Sequence, residues 1–489
     1  MSTDLNQKFD LSRFNASHWL KFIFLSAFGL GAFIINFTIP SYTVMNFTQA
    51  EAHTLLISHI SNIIRALFWN GDLKLLGFVV WFFGFYALYD MYFKNKQKVW
   101  GTSTVNKVFG VFKTLGFICV SVTLLFFYTN HFGNQGFVMP GFEWYFAPQE
   151  FIPMPIALFV LNRIVIMVTV TIPIAAAFLP FVVGYGLVDF AGVFMRLVMR
   201  PLFNLPGRAA VISVTALLAT FVVAFLGGVS EYKSGKMTEK ESLIIMYGLS
   251  SASIGFLIVI GNNTGINVNH WNLYLWTSFL FTLLVTIVCV RIPPLRTLPN
   301  TFADGIEPNP EGEYKSDFMK HAISEALEVS KNAIPFHKRF VQVMKDMVMV
   351  LSNCATGSTF FAGLGLVLYI YTPIISVLSW VFYPLGIIFL PAEEASVLGS
   401  AAWLSFIEIT LPSLLVLGGE WSLRLRYILS VIPISSIVFI AAWVPTILAM
   451  PMNIKFSHIC ITWFQRMVLS ILFAGALAMV IFSTAPVAV

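Results

Sequence analysis

Between Met199 and Phe256, apolar runs are cut by Pro, Gly and Ser at intervals too short for a plain membrane helix. The order is Pro201-Leu202 to Leu205-Pro206, then Leu226-Gly227-Gly228, then Ser250-Ser251 with Ser253, Ile254 and Phe256 behind them. A degenerate second copy keeps that order: Pro384-Leu385 to Leu390-Pro391, then Leu417-Gly418-Gly419, then Ser435-Ser436-Ile437 and Phe439. Backbone freed from a helix at membrane depth must line a cavity or be buried in protein. A duplicated set of interrupted apolar helices is therefore the sequence signature of a secondary transporter.

Composition sets the solvent. Hydrophobic residues make up 58% of the 489 and charged residues 11%, with a mean hydropathy of +0.82. Water cannot solvate that much apolar surface, whereas a bilayer does so directly. The expectation is an all-α polytopic membrane protein with about nine transmembrane helices plus two re-entrant hairpins in inverted repeats. The net charge of +6 would suggest a nucleic-acid partner in a soluble protein. Here the basic residues sit in loops, where they report orientation instead. Cys119, Cys289, Cys354 and Cys460 lie in or at the ends of apolar runs without metal-like spacing, and read as core residues. The first apolar run begins near Leu20 and is long enough to stay as a helix; no cleavable signal peptide is expected.

Taken in order, residues 1–181 hold four expected spans: Leu20–Pro40, Leu73–Phe93, Val108–Tyr128 and Pro155–Phe181. An interfacial helix is expected around Leu55, Ile60, Ile63, Ile64 and Leu67. Lys94, Lys96, Lys98 and Lys107 crowd one loop, while Thr129–Glu150 has no Lys or Arg. The positive-inside rule then puts the first loop and the N-terminus in the cytoplasm of a bacterial inner-membrane protein. Residues 182–292 form a first repeat, opening with an amphipathic segment, Tyr185–Phe203. The run Ala209–Gly228 has basic residues on both sides, Arg208 before it and Lys233 and Lys236 after it. A hairpin that enters and leaves on one side, with Thr215–Thr220 non-helical, satisfies both flanks. Spans at Leu243–Ile260 and Asn272–Arg291 follow. Residues 293–345 read as a cytoplasmic linker with an amphipathic helix from Ser316-Asp317 to Pro335. Residues 346–489 form the second repeat: a span at Val348–Tyr371, an interfacial piece near Pro373–Pro391 and a second hairpin, Ala395–Gly418, interrupted at Glu408–Pro412. Spans at Tyr427–Trp443 and Ile459–Phe482 complete it. Trp100, Trp144, Trp271, Trp380 and Trp421 read as interface anchors.

Several stretches carry a family resemblance: Leu205-Pro206-Gly207, Gly235 through Glu241, Gly248–Phe256, Tyr371-Thr372-Pro373, Phe406 through Pro412, and Arg424 through Phe439. The chain resembles the nucleoside-recognition, or Gate-domain, membrane proteins, in particular their YjiH-like branch. The resemblance covers Tyr185–Arg291 and Tyr369–Met467, and the first hundred residues loosely. That family is distantly related to concentrative nucleoside carriers, in which paired hairpins and two broken helices hold the solute near mid-membrane. The resemblance implies transport. The carriers' own substrate-binding motifs have no match here, so it does not name the solute.

Candidate site residues follow from where polar groups fall in apolar runs. A carboxylate at mid-membrane costs about 2.5–3.5 kcal/mol on insertion scales, so Glu408 needs a partner or a task. It either binds a solute amine or hydroxyl or carries a coupling proton, or it forms an ion pair with Arg163 or Arg424. Arg163 is the opposite charge at similar depth, a clamp for a carboxylate or a structural partner for Asp189 or Glu408. Ser250, Ser251 and Ser253, with Ser435 and Ser436 in the second copy, are candidate solute or Na⁺ ligands or small residues for helix packing. Thr410, Thr215 and Asn262 complete the candidate substrate-binding set; Asn262 with Asn263 and Thr264 reads as an outer vestibule or as an external turn. His53 and His59 lack the carboxylate spacing of a metal site, and no phosphate-binding loop or nucleophile elbow occurs. The expected role is a Na⁺- or H⁺-coupled transporter of a small polar solute, nucleoside-like or amino-acid/dipeptide-like, and not an enzyme. The rival reading is a passive channel or an assembly component of an envelope or sporulation complex. The lipid bilayer and the solute are the expected partners, with a homo-oligomer left open. No metal site and no cofactor beyond a Na⁺ coupling ion are expected.

Overall fold

The computed structural model describes residues 11–40, 42–44, 47–49, 52–70, 74–94, 104–129, 155–303, 318–417, 419–483 and 486–487. Lys96, Lys98, Trp100, Trp144, Gly418 and most of the Thr129–Glu150 loop lie outside the described residues. The chain is mostly helical. Among the described residues seven helices are long and apolar enough to cross a membrane, and they match seven of the expected spans. In chain order the elements are α1 (Ala16–Ile34), α2 (Leu56–Arg65), α3 (Leu76–Lys94), α4 (Asn106–Tyr128) and α5 (Ile156–Val183). Residues 182–292 hold α6 (Leu187–Val198), α7 (Ala209–Leu218), α8 (Phe221–Lys233), α9 (Glu239–Gly248), α10 (Ile254–Thr264) and α11 (Trp271–Cys289). Then come α12 (Phe318–Lys331) and α13 (Phe336–Tyr371). Further along come α14 (Ala392–Ile407), α15 (Leu411–Leu414), α16 (Leu423–Ser436), α17 (Trp443–Leu448) and α18 (Phe456–Ile481). Two short antiparallel pairs, Asn36–Ile39 with Ala52–Leu55 and Tyr42–Val44 with Phe47–Gln49, interrupt the helical pattern.

The two remaining expected spans are not single helices. Leu243–Ile260 is α9 and α10 with Leu249–Ser253 non-helical between them, and Tyr427–Trp443 is α16 and α17 separated at Ile437–Ala442. Hydropathy registers an apolar run but not whether the backbone inside it stays helical, so both breaks were invisible to a span count. The first hairpin also turns later than expected. Helix α7 continues to Leu218, the turn is Ala219-Thr220, and the Thr215 hydroxyl donates to Val211 O at 2.7 Å within the helix. In the second copy the break is Glu408–Thr410, and Pro412 sits in the first turn of α15, where its missing N–H costs nothing.

Local chemistry starts both broken helices. Thr238 Oγ1 accepts from Glu241 N at 3.3 Å while Glu241 Oε2 accepts from Thr238 N at 2.8 Å. This reciprocal cap explains the Met237-Thr238-Glu239-Lys240-Glu241 stretch. In the second copy Ser422 Oγ accepts from Leu425 N at 3.1 Å, and Glu394 of α14 accepts from Ser422 N at 2.9 Å and from Ser422 Oγ at 2.7 Å. The carboxylate thus comes from the neighbouring hairpin rather than from the helix it caps.

Lipid-facing apolar residues ring the outside: Phe24 is 71% exposed, Phe93 75% and Val480 83%. Inside, small residues permit close backbone approach. A Cβ added at Gly399 would stand 2.5 Å from Ser379 O, so α14 touches the Ile374–Ser379 helix backbone to backbone. Three further expectations are corrected. Helix α2 is not a free-lying amphipathic helix: Ile57, Ser58, His59 and Ser61 are buried, and α2 packs against α5. Helix α13 begins at Phe336, not Val348, with Pro335 as its N-cap. Trp271 is no interface anchor; it is buried, and its Nε1 donates to Phe33 O at 2.7 Å.

Candidate functional site

The interruptions of the two copies meet one another. Ile440 N donates to Phe406 O at 2.7 Å and Ala441 N to Ile407 O at 3.1 Å, so the second break closes the end of α14 beside Glu408. The break between α9 and α10 joins the same group, with Trp443 Nε1 donating to Ser250 Oγ at 3.3 Å. The Phe221 ring, just past the first hairpin turn, stands edge-on to Phe439 at 5.9 Å. Leu218, Ala219, Ser253 and Ile254 enclose, with Ile172 and Ala175 of α5, a cavity of about 30 Å³. That is room for a water, not for a metabolite.

Glu408 lies at this meeting point, fully buried. Its Oε2 accepts from Thr410 N at 2.7 Å and from the Thr410 hydroxyl, which holds the carboxylate over the turn. Its Oε1 has no hydrogen-bond partner among the described residues. Thr410 O accepts from Ser413 Oγ at 2.6 Å, and Ser413 Oγ accepts in turn from Asn263 Nδ2 at 3.1 Å. A polar chain therefore runs from the carboxylate to the end of α10. Ser251 Oγ, Ser253 Oγ and Asn263 Oδ1 are also buried without a partner among the described residues. Each such atom forfeits about 1–3 kcal/mol of hydration unless something binds it; Ser251 and Ser253 lie at the start of α10 and Asn263 near its end, on the polar chain that leads to Glu408.

The other expected residues divide. Ser250 and Thr410 are drawn into the crossing by the bonds above. Ser435 and Ser436 end α16, where the Ser435 hydroxyl is returned to Val431 O at 3.0 Å and both carbonyls point at Arg466. Asn262 lies in the last turn of α10, its Oδ1 accepting from Asn267 Nδ2 in the loop that follows. Arg163 sits in a widened turn of α5, next to Asn162, whose Oδ1 accepts from Trp69 Nε1 at 2.6 Å. Neither Arg163 nor Arg424 forms a salt bridge with Glu408 among the described residues. Arg424 instead donates to Phe389 O at 2.8 Å and Phe482 O at 2.8 Å.

The sequence reading passed over Arg466, Trp443 and Ser413, and named Asn263 only with Asn262 and Thr264 at a helix end. Arg466 carried a legible signal: a lone basic residue in the middle of the apolar run Ile459–Phe482, which marks a functional or structural task by default. Away from the crossing, Arg200, Asn204, Pro206, Lys236, Glu241 and Phe302 border an open notch of about 300 Å³ where the hairpin ends come together.

No family model matches the chain. It is 27% identical over 324 residues to an uncharacterised protein of Alkalihalophilus pseudofirmus, covering 64% of this chain and 67% of that one. Among solved structures it is similar to CNTnw in an inward-facing substrate-bound state, with 13% identity and a TM-score of 0.38 over 97% of this chain and 94% of that one. It is also similar to a variant of CNTnw in an intermediate state, with 13% identity and a TM-score of 0.39 over 96% and 93% of the two chains.

Proposed function

We propose that this chain is a secondary active transporter of a small polar metabolite, nucleoside-like or amino-acid/dipeptide-like, coupled to Na⁺ or H⁺ and embedded in a bacterial inner membrane. The observation that carries the proposal is Glu408: a fully buried carboxylate, fixed on one oxygen by Thr410 and bare on the other, where both interrupted helices meet. A rigid, preorganised acceptor of this kind suits a solute hydroxyl or amine. The duplicated hairpin and broken helix supply what alternating access needs, two packed units that can shift against each other around one polar centre. The YjiH-like Gate-domain resemblance supports the same reading. In this reading the cavity beside Ser253 opens as the α7–α8 hairpin parts from α5, and the solute enters there on its way to Glu408.

The test is uptake of radiolabelled uridine, and separately of dialanine, into proteoliposomes of purified protein. Saturable uptake that collapses with the ion gradient is the expected result, and Glu408→Gln abolishes it at unchanged membrane abundance. Wild-type rates in that variant remove Glu408 from the mechanism. A non-saturating leak replaces the carrier with a channel.

A further inference from the structure

Arg466 of α18 is fully buried, and no acidic side chain pairs with it among the described residues. Its Nη1 donates to Gly248 O at 3.1 Å and to Thr286 Oγ1 at 3.0 Å, its Nη2 to Ser435 O at 2.6 Å and its Nε to Ser436 O at 3.1 Å. Gly248 is the last residue of α9, and Ser435 and Ser436 are the last two of α16. The guanidinium therefore stands where the first halves of both broken helices end. Each helix C-terminus carries roughly half a negative charge on unsatisfied carbonyls, so two ends converging here present about one. In membrane carriers, unwound carbonyls and half-helix C-termini are the groups that coordinate a metal cation. Three carbonyls and a hydroxyl form an all-oxygen shell of the kind a hard cation takes, and in this chain a side chain already fills it.

We propose that Arg466 is a tethered cation that takes the place of a bound Na⁺ at the crossing of the two broken helices. Coupling to Na⁺ through this crossing is thereby excluded. The inference rests on the carrier reading and narrows it, since the guanidinium supplies permanently the charge that a coupling ion would bring and remove. A side chain anchored on α18 cannot dissociate, so the crossing stays neutralised in every state of the cycle. The planar fork suits this task, because it serves two helix ends at once while a lysine ammonium has fewer and less divergent donors.

The test uses the purified full chain, unfolded thermally in NaCl, KCl and choline chloride at matched ionic strength. Wild type is expected to give the same midpoint in all three. Arg466→Ala is expected to unfold at lower temperature in choline, with a saturable, Na⁺-dependent recovery of the midpoint, because its vacated oxygen shell now takes the ion. Arg466→Lys is expected to remain indifferent to the cation. A saturable rise with Na⁺ in wild type overturns the proposal, as does a folded Arg466→Ala that is indifferent to Na⁺. If the alanine variant does not fold, wild type and Arg466→Lys decide: indifference in both supports the tethered charge, and a Na⁺ response in either refutes it. Absence of all uptake in proteoliposomes would sink the carrier reading while leaving these midpoints interpretable, so the two failures are separable.

Discussion

The Trp443 indole donates to the Ser250 hydroxyl across 3.3 Å, tying the start of α17 to the break that separates α9 from α10. Both residues are buried, and the indole also stands edge-on to Phe225, with ring centroids 5.3 Å apart. The bond joins the helix that follows the second break to the first break, so it ties the two interruptions together. Trp443→Phe removes the donor and leaves Ser250 unsatisfied, at an expected cost of about 1–3 kcal/mol. Ser250→Ala leaves the indole N–H bare at similar cost. Because the two substitutions remove one interaction, the double variant should cost less than the sum of the singles. Thermal midpoints of the four proteins in detergent check this; strict additivity would mean that the bond couples nothing.

Directly after Ser436 the chain takes an unusual turn. Ile437 has φ of +49°, in the left-handed region that a β-branched side chain rarely enters. Strain of this kind costs about 1–3 kcal/mol and persists where surrounding contacts over-determine the backbone. Those contacts are present: Ser436 O is held by Arg466, and Ile440 N and Ala441 N are held by the end of α14. Ile437→Gly should relieve the strain yet lose the packing of a buried side chain, leaving stability within about 1 kcal/mol of wild type. A strained isoleucine also stiffens the break. The glycine variant is therefore expected to show faster hydrogen exchange at residues 437–442, and unchanged exchange there would remove the strain from the account.

The membrane class and seven of its spans were legible because each rests on a one-dimensional pattern of hydropathy. Glu408 was legible for the same reason, as a charge where charge is costly. The breaks at Leu249–Ser253 and Ile437–Ala442 were legible only as Ser pairs inside apolar runs; where the backbone leaves the helix was not, because hydropathy does not register backbone conformation. Partners were less legible still. Arg163 and Arg424 looked like natural counter-ions for Glu408, but sequence holds no distances, and Arg424 is spent on the carbonyls of Phe389 and Phe482. Arg466 was missed by a search for opposite charges, because its partners are helix-end carbonyls that no residue name reveals.

Asp189 gives a pH-dependent prediction outside the spans. On α6, burial pushes its carboxyl above the usual carboxylate range; the nearby Glu325 on α12 adds to the rise, and Arg339 and Arg196 oppose it. A folded pKa above the unfolded one favours the protonated form. The contribution to stability is therefore complete below the unfolded value, about 3.9, and is lost as pH rises through the raised folded value. Asp189→Asn cannot ionise. It should match wild type near pH 4 and exceed it in thermal midpoint at neutral pH. A neutral-pH deficit in the asparagine variant would mean that attraction to Arg196 and Arg339 outweighs burial.

Whether the α7–α8 hairpin is re-entrant decides whether a polar crossing can exist at membrane depth. Helix α7 has only ten residues and α8 thirteen, about 15 Å and 20 Å at 1.5 Å per residue, against a hydrocarbon core of about 30 Å. Neither can cross alone, and the turn at Ala219-Thr220 separates them. Their outer ends come together instead: Pro206, just ahead of α7, and Lys236, just after α8, border the same notch. Arg208 and Lys236 should therefore face one aqueous side. With Cys119, Cys289, Cys354 and Cys460 replaced by serine or alanine, single cysteines at positions 208 and 236 are expected to react with an impermeant maleimide from the cytoplasmic side alone. Labelling of the two from opposite sides would make the hairpin a plain crossing, place its turn in a continuous span and leave Glu408 with no pocket to serve.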